Sequence, residues 1–129
     1  MLKSQEKALD RLIQELVMIA RRGMCEYCDI SDETLSGHHI LGKINRSVRW
    51  NLDNMCLLCA NHHVIGNFSA HRSPNDFKNW IIEIRGKEWW DKINMLKDKI
   101  EWLNYKVIKK NLLIQIKYYK EFNIQHGFN

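Results

Sequence analysis

The segment between Cys25 and His63 constrains this chain most, because it collects most of the metal-binding side chains in the sequence. It contains all four cysteines and four of the six histidines. Its irregular, turn-rich composition leaves little apolar surface to bury, so a bound metal would have to help hold the segment together. One tetrahedral ion uses only four ligands, and the surplus predicts two sites, one structural and one chemical.

The cysteine spacing predicts a structural zinc site. Cys25-x-x-Cys28 supplies two thiolates that can bind one Zn²⁺ ion. The second pair is either Cys56 with Cys59 or Cys59 with His62, since both spacings complete an accepted zinc ligand set. The N-terminal residues do not resemble a signal peptide, and four cysteines in such a chain are typical of a reducing compartment, where paired cysteines often hold metal.

The histidines predict a second metal site. His38 and His39 are adjacent, so on a strand their side chains would point to opposite faces. One ring could then bind a metal while its neighbour stays free as a base. His63 directly follows a proposed zinc ligand, which would fix its backbone, and His71 lies eight residues further on and could complete the set.

Helical periodicity flanks the ligand-rich segment on both sides. Apolar side chains recur at helical spacing over about residues 4–22, and a Ser-Pro pair followed by an amphipathic run predicts a helix from Pro74. These patterns predict an α+β, mostly helical fold in a single domain. Its parts would be an N-terminal helix (1–23), a metal-stabilised core with two short strands (24–86) and a C-terminal helical extension (87–129).

A seven-residue repeat in the last segment has two interpretations. Ile93, Ile100, Val107 and Ile114 are spaced by seven, which favours one long helix over about residues 87–120. That helix could pair two copies of the chain in a homodimer, or it could pack against the first helix. The repeat leaves both interpretations open.

The charge balance favours an acidic partner. The formal net charge is +5 and the isoelectric point is about 9.1, and nucleic acid is the commonest partner of basic proteins. No apolar run is long enough to cross a bilayer, so we expect no membrane partner and a cytoplasmic location. Four basic residues near the histidines are placed for phosphate contacts: Lys43, Arg46, Arg49 and Arg72.

Taken in order, these residues resemble the HNH, or ββα-metal, nucleases, especially small phage-type enzymes with zinc-binding cysteines around the nuclease hairpin. The family pattern runs from a CxxC pair to Asp-His or His-His before an aliphatic residue. An Asn five residues before a Cys follows, and then a Cys-x-x-Cys or Cys-x-x-His with a final His. The likeness covers about residues 24–80. The matching residues are Cys25, Cys28, His38-His39-Ile40, Asn54, Cys59 and His62-His63.

The resemblance implies a catalytic role for the matching polar residues. His39 would be the general base that activates water, and Asn54 would orient the loop and the His39 ring. His38 stands where the family usually has a metal-binding Asp, and His63 would be a ligand of the same catalytic metal. His71 has a less uniform counterpart in the family and would be a third ligand.

The resemblance also selects a zinc ligand set. With Asn54 in the family position, Cys59 and His62 become the second zinc pair and Cys56 remains on the hairpin. At position 38 an imidazole replaces the usual carboxylate, so the ligands of the catalytic metal are softer donors. We therefore expect Mn²⁺, Ni²⁺, Co²⁺ or Zn²⁺ to suit it better than Mg²⁺.

The leading hypothesis is thus a metal-dependent endonuclease, a phosphodiester hydrolase acting on duplex or branched DNA in a bacterial or phage-infected cell. The alternative is a zinc-stabilised nucleic-acid-binding protein without catalysis. A third interpretation is a metal-binding interaction protein with a coiled-coil arm. This interpretation does not explain the presence of His39 and Asn54. A protein that only binds nucleic acid needs neither of these two residues.

Overall fold

The computed structural model describes residues 1–99 and 102–128, and it has a small α+β fold that is mostly helical, as predicted. A short 3₁₀ helix (Leu52–Asn54) precedes the second strand, and a π-helical turn (Asn61–Ile65) follows it. Within the described residues, no helix is both long enough and apolar enough to cross a membrane. The main elements are α1 (Lys3–Ala20), β1 (Ser36–His39), β2 (Met55–Leu58), α2 (Pro74–Arg85), α3 (Lys87–Lys97) and α4 (Tyr105–Gln125).

The two strands form an antiparallel sheet that lies between two groups of buried side chains. The register pairs His38 with Cys56 and His39 with Met55. All four residues of β2 are buried, and because side chains alternate along a strand they divide between the two groups. Met55 and Leu57 belong to the first group, whereas Cys56 and its neighbour Leu58 belong to the second.

The first buried group joins α1 to α4. Leu9, Ile13 and Leu16 of α1 are buried together with Leu112 and Ile116 of α4. The last helix therefore packs against the first one, which was one of the two interpretations of the apolar repeat.

The second buried group joins α2 to the hairpin. Phe77 and Ile81 pack with the cysteine-rich side of β2, and Trp80 covers them partly. The helix begins at Pro74, as predicted, and ends at Arg85; the next residue, Gly86, has a φ of 93°, a conformation that glycine adopts without steric cost.

The prediction of one long helix over residues 87–120 is wrong. α3 ends at Lys97 and α4 begins at Tyr105. Asn104 caps the start of α4, because its side-chain oxygen accepts a hydrogen bond of 3.2 Å from the main-chain N–H of Val107. A capping Asn satisfies an N–H group that has no partner in the first turn, and so it starts a new helix within the apolar repeat.

The members of the repeat do not share one environment. Ile93 in α3 is fully buried, whereas Val107 and Ile114 in α4 are 55% and 56% exposed. Ile100 lies outside the described residues. The exposed pair lies on the outer side of α4, away from the α1 contact, and the homodimer through this helix stays a prediction.

Candidate metal centres and active site

The four predicted zinc ligands come together at one point, and we call them the cysteine cluster. Their donor atoms all lie within 4.8 Å of one another. The Sγ atoms of Cys28 and Cys59 are 3.8 Å apart, and Nδ1 of His62 is 3.3 Å from Cys59 Sγ and 4.0 Å from Cys25 Sγ. A tetrahedron of zinc–ligand bonds of about 2.0–2.3 Å has edges of about 3.5–3.8 Å, so the four donors fit one such ion.

Cys56 is not part of this cluster. It lies within β2, fully buried on the α2 side of the sheet. Burial raises the pKa of the Cys56 thiol well above its usual value, and the negative charge of Glu26 acts in the same direction. The sulfur of Cys56 is not among the donor atoms that lie within 4.8 Å of one another. Of the two ligand sets that the spacing left open, the structure assembles the one with Cys59 and His62.

The thiols of the cysteine cluster have chemistry that suits a cation. Burial raises the pKa of Cys28 to about 11, and the neighbouring sulfur atoms of Cys25 and Cys59 add to this effect. Burial also acts on Cys25, but hydrogen bonds from main-chain N–H groups outweigh it and lower the pKa of that thiol. One thiolate is therefore favoured, and a second beside it needs a positive charge to offset the repulsion.

Three histidines form a second group, the histidine cluster: His38 on β1, His63 in the π-helical turn and His71 before α2. One ring nitrogen from each lies within 4.8 Å of the others, and the Nε2 atoms of His63 and His71 are 3.1 Å apart. Ser36 Oγ forms a 2.9 Å hydrogen bond with Nδ1 of His63, which leaves its Nε2 directed at the cluster. The three predicted catalytic-metal ligands are thus brought together.

The rings of His38 and His63 are neutral at neutral pH. Burial, together with the neighbouring His63 and His71 rings, lowers the pKa of His38 to about 3. Burial and the nearby His71 also lower the pKa of His63. Neutral imidazole is the form that binds metal. Three nitrogen ligands fill only part of a coordination sphere, so a bound ion would keep positions for water or a substrate.

His39 is held separately from this cluster and in one defined tautomer. Its Nε2 lies 2.9 Å from the main-chain carbonyl oxygen of Arg49, and a carbonyl can only accept a hydrogen bond. The hydrogen of the neutral ring is therefore on Nε2, and Nδ1 keeps a free lone pair. Burial lowers the pKa of His39, which keeps the ring neutral near pH 7. A neutral imidazole with a free nitrogen can act as a general base.

Asn54 is fully buried and makes its side-chain hydrogen bonds to the loop between the strands. Its Oδ1 accepts from the main-chain N–H of Leu41 at 2.7 Å, and its Nδ2 donates to the carbonyls of Leu41 at 2.9 Å and Val48 at 3.2 Å. It thus connects the start of this loop to Val48 in its second half. The orienting bond to the His39 ring comes from Arg49, the residue after Val48, so Asn54 reaches the ring through the loop backbone.

The histidine cluster and His39 line one cavity of about 710 Å³. Lys43 lies on its wall, and so do two residues that sequence reasoning missed, Lys78 of α2 and Trp90 of α3. The Lys78 ammonium lies 5.1 Å from the centre of the Trp90 ring. Nothing in the local sequence pairs these two residues, because their contact depends on how α3 folds back beside α2.

The basic residues of the loop are bonded to acidic residues of α1. Arg49 is held by Asp10, with 2.7 Å between Nη2 and Oδ2, and its side chain is only 16% exposed. Arg46 forms an ion pair with Glu6, and Lys43 lies 3.8 Å from Asp10 while remaining 56% exposed. A phosphate that binds these basic side chains would have to compete with the carboxylates. This competition is weakest at Lys43.

Arg72 follows His71 and is exposed. Its guanidinium donates a hydrogen bond of 2.8 Å to the carbonyl of Ile65, at the end of the π-helical turn. Part of its donor capacity is therefore used within the protein, and a nucleic-acid contact by Arg72 stays a prediction.

Searches of known protein families, curated proteins and solved structures returned no match for this chain. The likeness to the HNH nucleases rests on the motif residues themselves, with His38 at the position of the usual carboxylate.

Proposed function

We propose that this protein is a metal-dependent endonuclease of the HNH type that hydrolyses phosphodiester bonds in DNA. The observation that supports this most is the placement of His39, with a free Nδ1, in the same cavity as the histidine cluster. A base and a metal site beside each other are what hydrolysis of a phosphodiester requires.

The two clusters would serve different purposes. Zinc at the cysteine cluster would hold the hairpin and the π-helical turn together, because four protein ligands leave no position for a substrate. A divalent cation at the histidine cluster would stabilise negative charge on the scissile phosphate and on the leaving oxygen. The all-imidazole ligand set favours Zn²⁺, Ni²⁺, Co²⁺ or Mn²⁺ over Mg²⁺.

His39 would take the proton of the attacking water. The Arg49 carbonyl holds the hydrogen on Nε2, so Nδ1 accepts the water proton while the water oxygen forms its bond to phosphorus. The bond between phosphorus and the 3′ oxygen breaks, and the leaving oxygen takes a proton from solvent. The products are a 5′-phosphate and a 3′-hydroxyl end.

Lysine side chains supply the charge for binding the DNA backbone. Lys43 and Lys78 line the cavity and are exposed, so both can reach phosphates beside the scissile bond. The solvent side of α4 adds further exposed lysines that would follow a duplex without reading its sequence: Lys106, Lys109, Lys110 and Lys117.

Replacing His39 tests the proposed catalytic role. With supercoiled plasmid and Mn²⁺, Ni²⁺ or Co²⁺, the parent protein should nick or linearise DNA. His39→Ala should lower the rate at least about 100-fold, the contribution typical of a general base. Its metal content and circular dichroism should match the parent. His126→Ala, an exposed histidine near the end of α4, is the control and should cut normally. Equal cleavage by His39→Ala would refute the assignment.

The second candidate function is a zinc-stabilised nucleic-acid-binding protein without catalysis. One observation favours it, namely that a site made only of imidazoles can hold zinc tightly as a structural ion. Such a protein would bind DNA in a gel-shift assay and leave plasmid intact with every divalent metal.

A further inference from the structure

One polar face of α1 is bonded to the hairpin that carries His39. Glu6, Asp10 and Gln14 are four residues apart and so lie on the same side of the helix. The Gln14 amide exchanges two hydrogen bonds with the main chain of Gly37 in β1, of 2.9 Å and 2.7 Å. Glu6 pairs with Arg46 in the loop that follows the strand. α1 therefore contacts the hairpin on both sides of the predicted base.

Asp10 is the centre of these contacts. Its Oδ1 accepts hydrogen bonds from Nε of Arg49 at 3.1 Å and from the indole N–H of Trp50 at 2.9 Å. Its Oδ2 accepts from Nη2 of Arg49 at 2.7 Å. Burial acts to raise the pKa of the Asp10 carboxyl, but the hydrogen bonds from Arg49 and Trp50 outweigh it and the pKa is lowered. Asp10 is thus ionised when it holds these donors.

Arg49 connects this carboxylate to His39. Its guanidinium is bonded to Asp10 at two points, and its main-chain carbonyl accepts the Nε2 hydrogen of His39. A two-point contact between a planar guanidinium and a carboxylate fixes direction as well as distance. The buried indole of Trp50 anchors the next residue to the same carboxylate. The peptide that carries the carbonyl is therefore fixed from both sides.

We propose that Asp10 is a positioning residue for the general base. By holding Arg49 and Trp50, it fixes the carbonyl that keeps the hydrogen of His39 on Nε2 and leaves Nδ1 free. This inference rests on the proposed function of His39. In this proposal the Arg49 guanidinium binds the Asp10 carboxylate. Arg49 therefore does not make the phosphate contact that was predicted for it.

Kinetics of Asp10→Asn in the metal-loaded protein test this proposal. The variant keeps the size of the side chain but loses the charge that binds Arg49. We expect kcat for plasmid nicking to fall about 10-fold to 100-fold, because a small displacement of a reacting group costs rate. KM and zinc content should be unchanged. The control is Glu15→Gln, an acid of the same helix that pairs with Lys120 on α4 at 3.7 Å, and it should cut normally.

Two further variants separate positioning from a general loss of structure. Arg49→Lys keeps a positive charge for phosphate but loses the two-point contact with Asp10, so kcat should fall while KM stays the same. In a His39→Ala background, Asp10→Asn should lower the residual rate no further, because both changes act on one group. An equal fold-loss in both backgrounds would overturn the proposal.

Long-range ¹H–¹⁵N spectra of the histidine rings give a readout that does not depend on cleavage. In the parent and in Glu15→Gln, His39 should carry its hydrogen on Nε2. In Asp10→Asn the signal should show a mixture of both tautomers. An unchanged His39 signal in Asp10→Asn would overturn this inference, whereas absence of cleavage by the parent with every metal would overturn the proposed function.

Discussion

His38 and His39 are neighbours in sequence, yet their surroundings assign them to different chemistry. His38 packs against His63, His71 and the Phe77 ring, with ring centres 5.1–5.3 Å apart. His39 is instead bonded to the loop through Arg49. Adjacent positions on a strand face opposite sides of the sheet, so one ring joins the histidine cluster while the other contacts the loop.

The burial of His38 makes the stability of the protein depend on pH. Its pKa is about 3 in the folded chain and about 6.5 in an unfolded one, so between these values only the unfolded chain binds the proton. Stability therefore rises with pH across this range and is lost as the pH falls below about 6.5.

Urea unfolding at several pH values between about 7 and 5, with one zinc equivalent per chain, measures this dependence. His38→Asn removes the proton uptake and should make the dependence shallower. Parallel curves for the parent and His38→Asn would show that His38 does not contribute to it.

At the scale of elements, the cysteine cluster brings together residues on either side of the hairpin in the sequence. Cys25 and Cys28 precede β1, whereas Cys59 and His62 follow β2. One ion would therefore connect the segment before the hairpin to the segment after it. His63, the neighbour of His62, belongs to the histidine cluster. A structural ion at the first cluster would therefore also hold a ligand of the second in place.

Removing one zinc ligand should release this segment. Cys28→Ser should bind one fewer zinc ion per chain and lose amide hydrogen-exchange protection in β1 and β2, because zinc binding energy is part of the folding energy of such sites. Cys56→Ala is the matched control, since this buried thiol lies outside the cluster. It should keep its zinc, as measured by mass spectrometry under native conditions. Loss of zinc from Cys56→Ala would show that the ligand assignment is wrong.

At the scale of the whole molecule, α4 has two distinct faces. Leu112 and Ile116 are buried against α1, whereas Ile114 and Tyr118 are more than half exposed on the outer face. The inner face of α4 packs against α1 in the first buried group. α1 in turn contacts the hairpin through a row of polar side chains that includes Asp10. The outer face is the one that the predicted homodimer would use.

Truncating each face should have different effects. Leu112→Ala should lower the free energy of unfolding by about 2–5 kcal/mol, the usual cost of removing a buried leucine side chain. Ile114→Ala should change the stability of a monomer by less than about 0.5 kcal/mol, since its side chain is in solvent. Denaturant unfolding measures both. If sedimentation shows a dimer, Ile114→Ala should weaken it, and an unaffected dimer would place the interface elsewhere.

The sequence by itself determined the features that depend on local backbone geometry. The existence of α1 and the start of α2 follow from helical period and a Ser-Pro pair, which act over a few residues, although α1 ends at Ala20 and not near residue 22. The cysteine spacing and the density of histidines predicted two ligand clusters, and the resemblance to the HNH nucleases selected Cys59 and His62 for the first.

Only the tertiary structure decided the contacts between distant residues. The pair Cys56 with Cys59 and the pair Cys59 with His62 have equally good spacing, and only the folded chain shows that His62, not Cys56, lies with the other three donors. The bond between Asp10 and Arg49 depends on α1 lying beside the hairpin, and the break before Tyr105 overrides an apolar repeat that predicted a continuous helix. Residue spacing specifies which side chains lie on the same face of a helix or strand. The packing of the whole chain determines which other residues that face contacts.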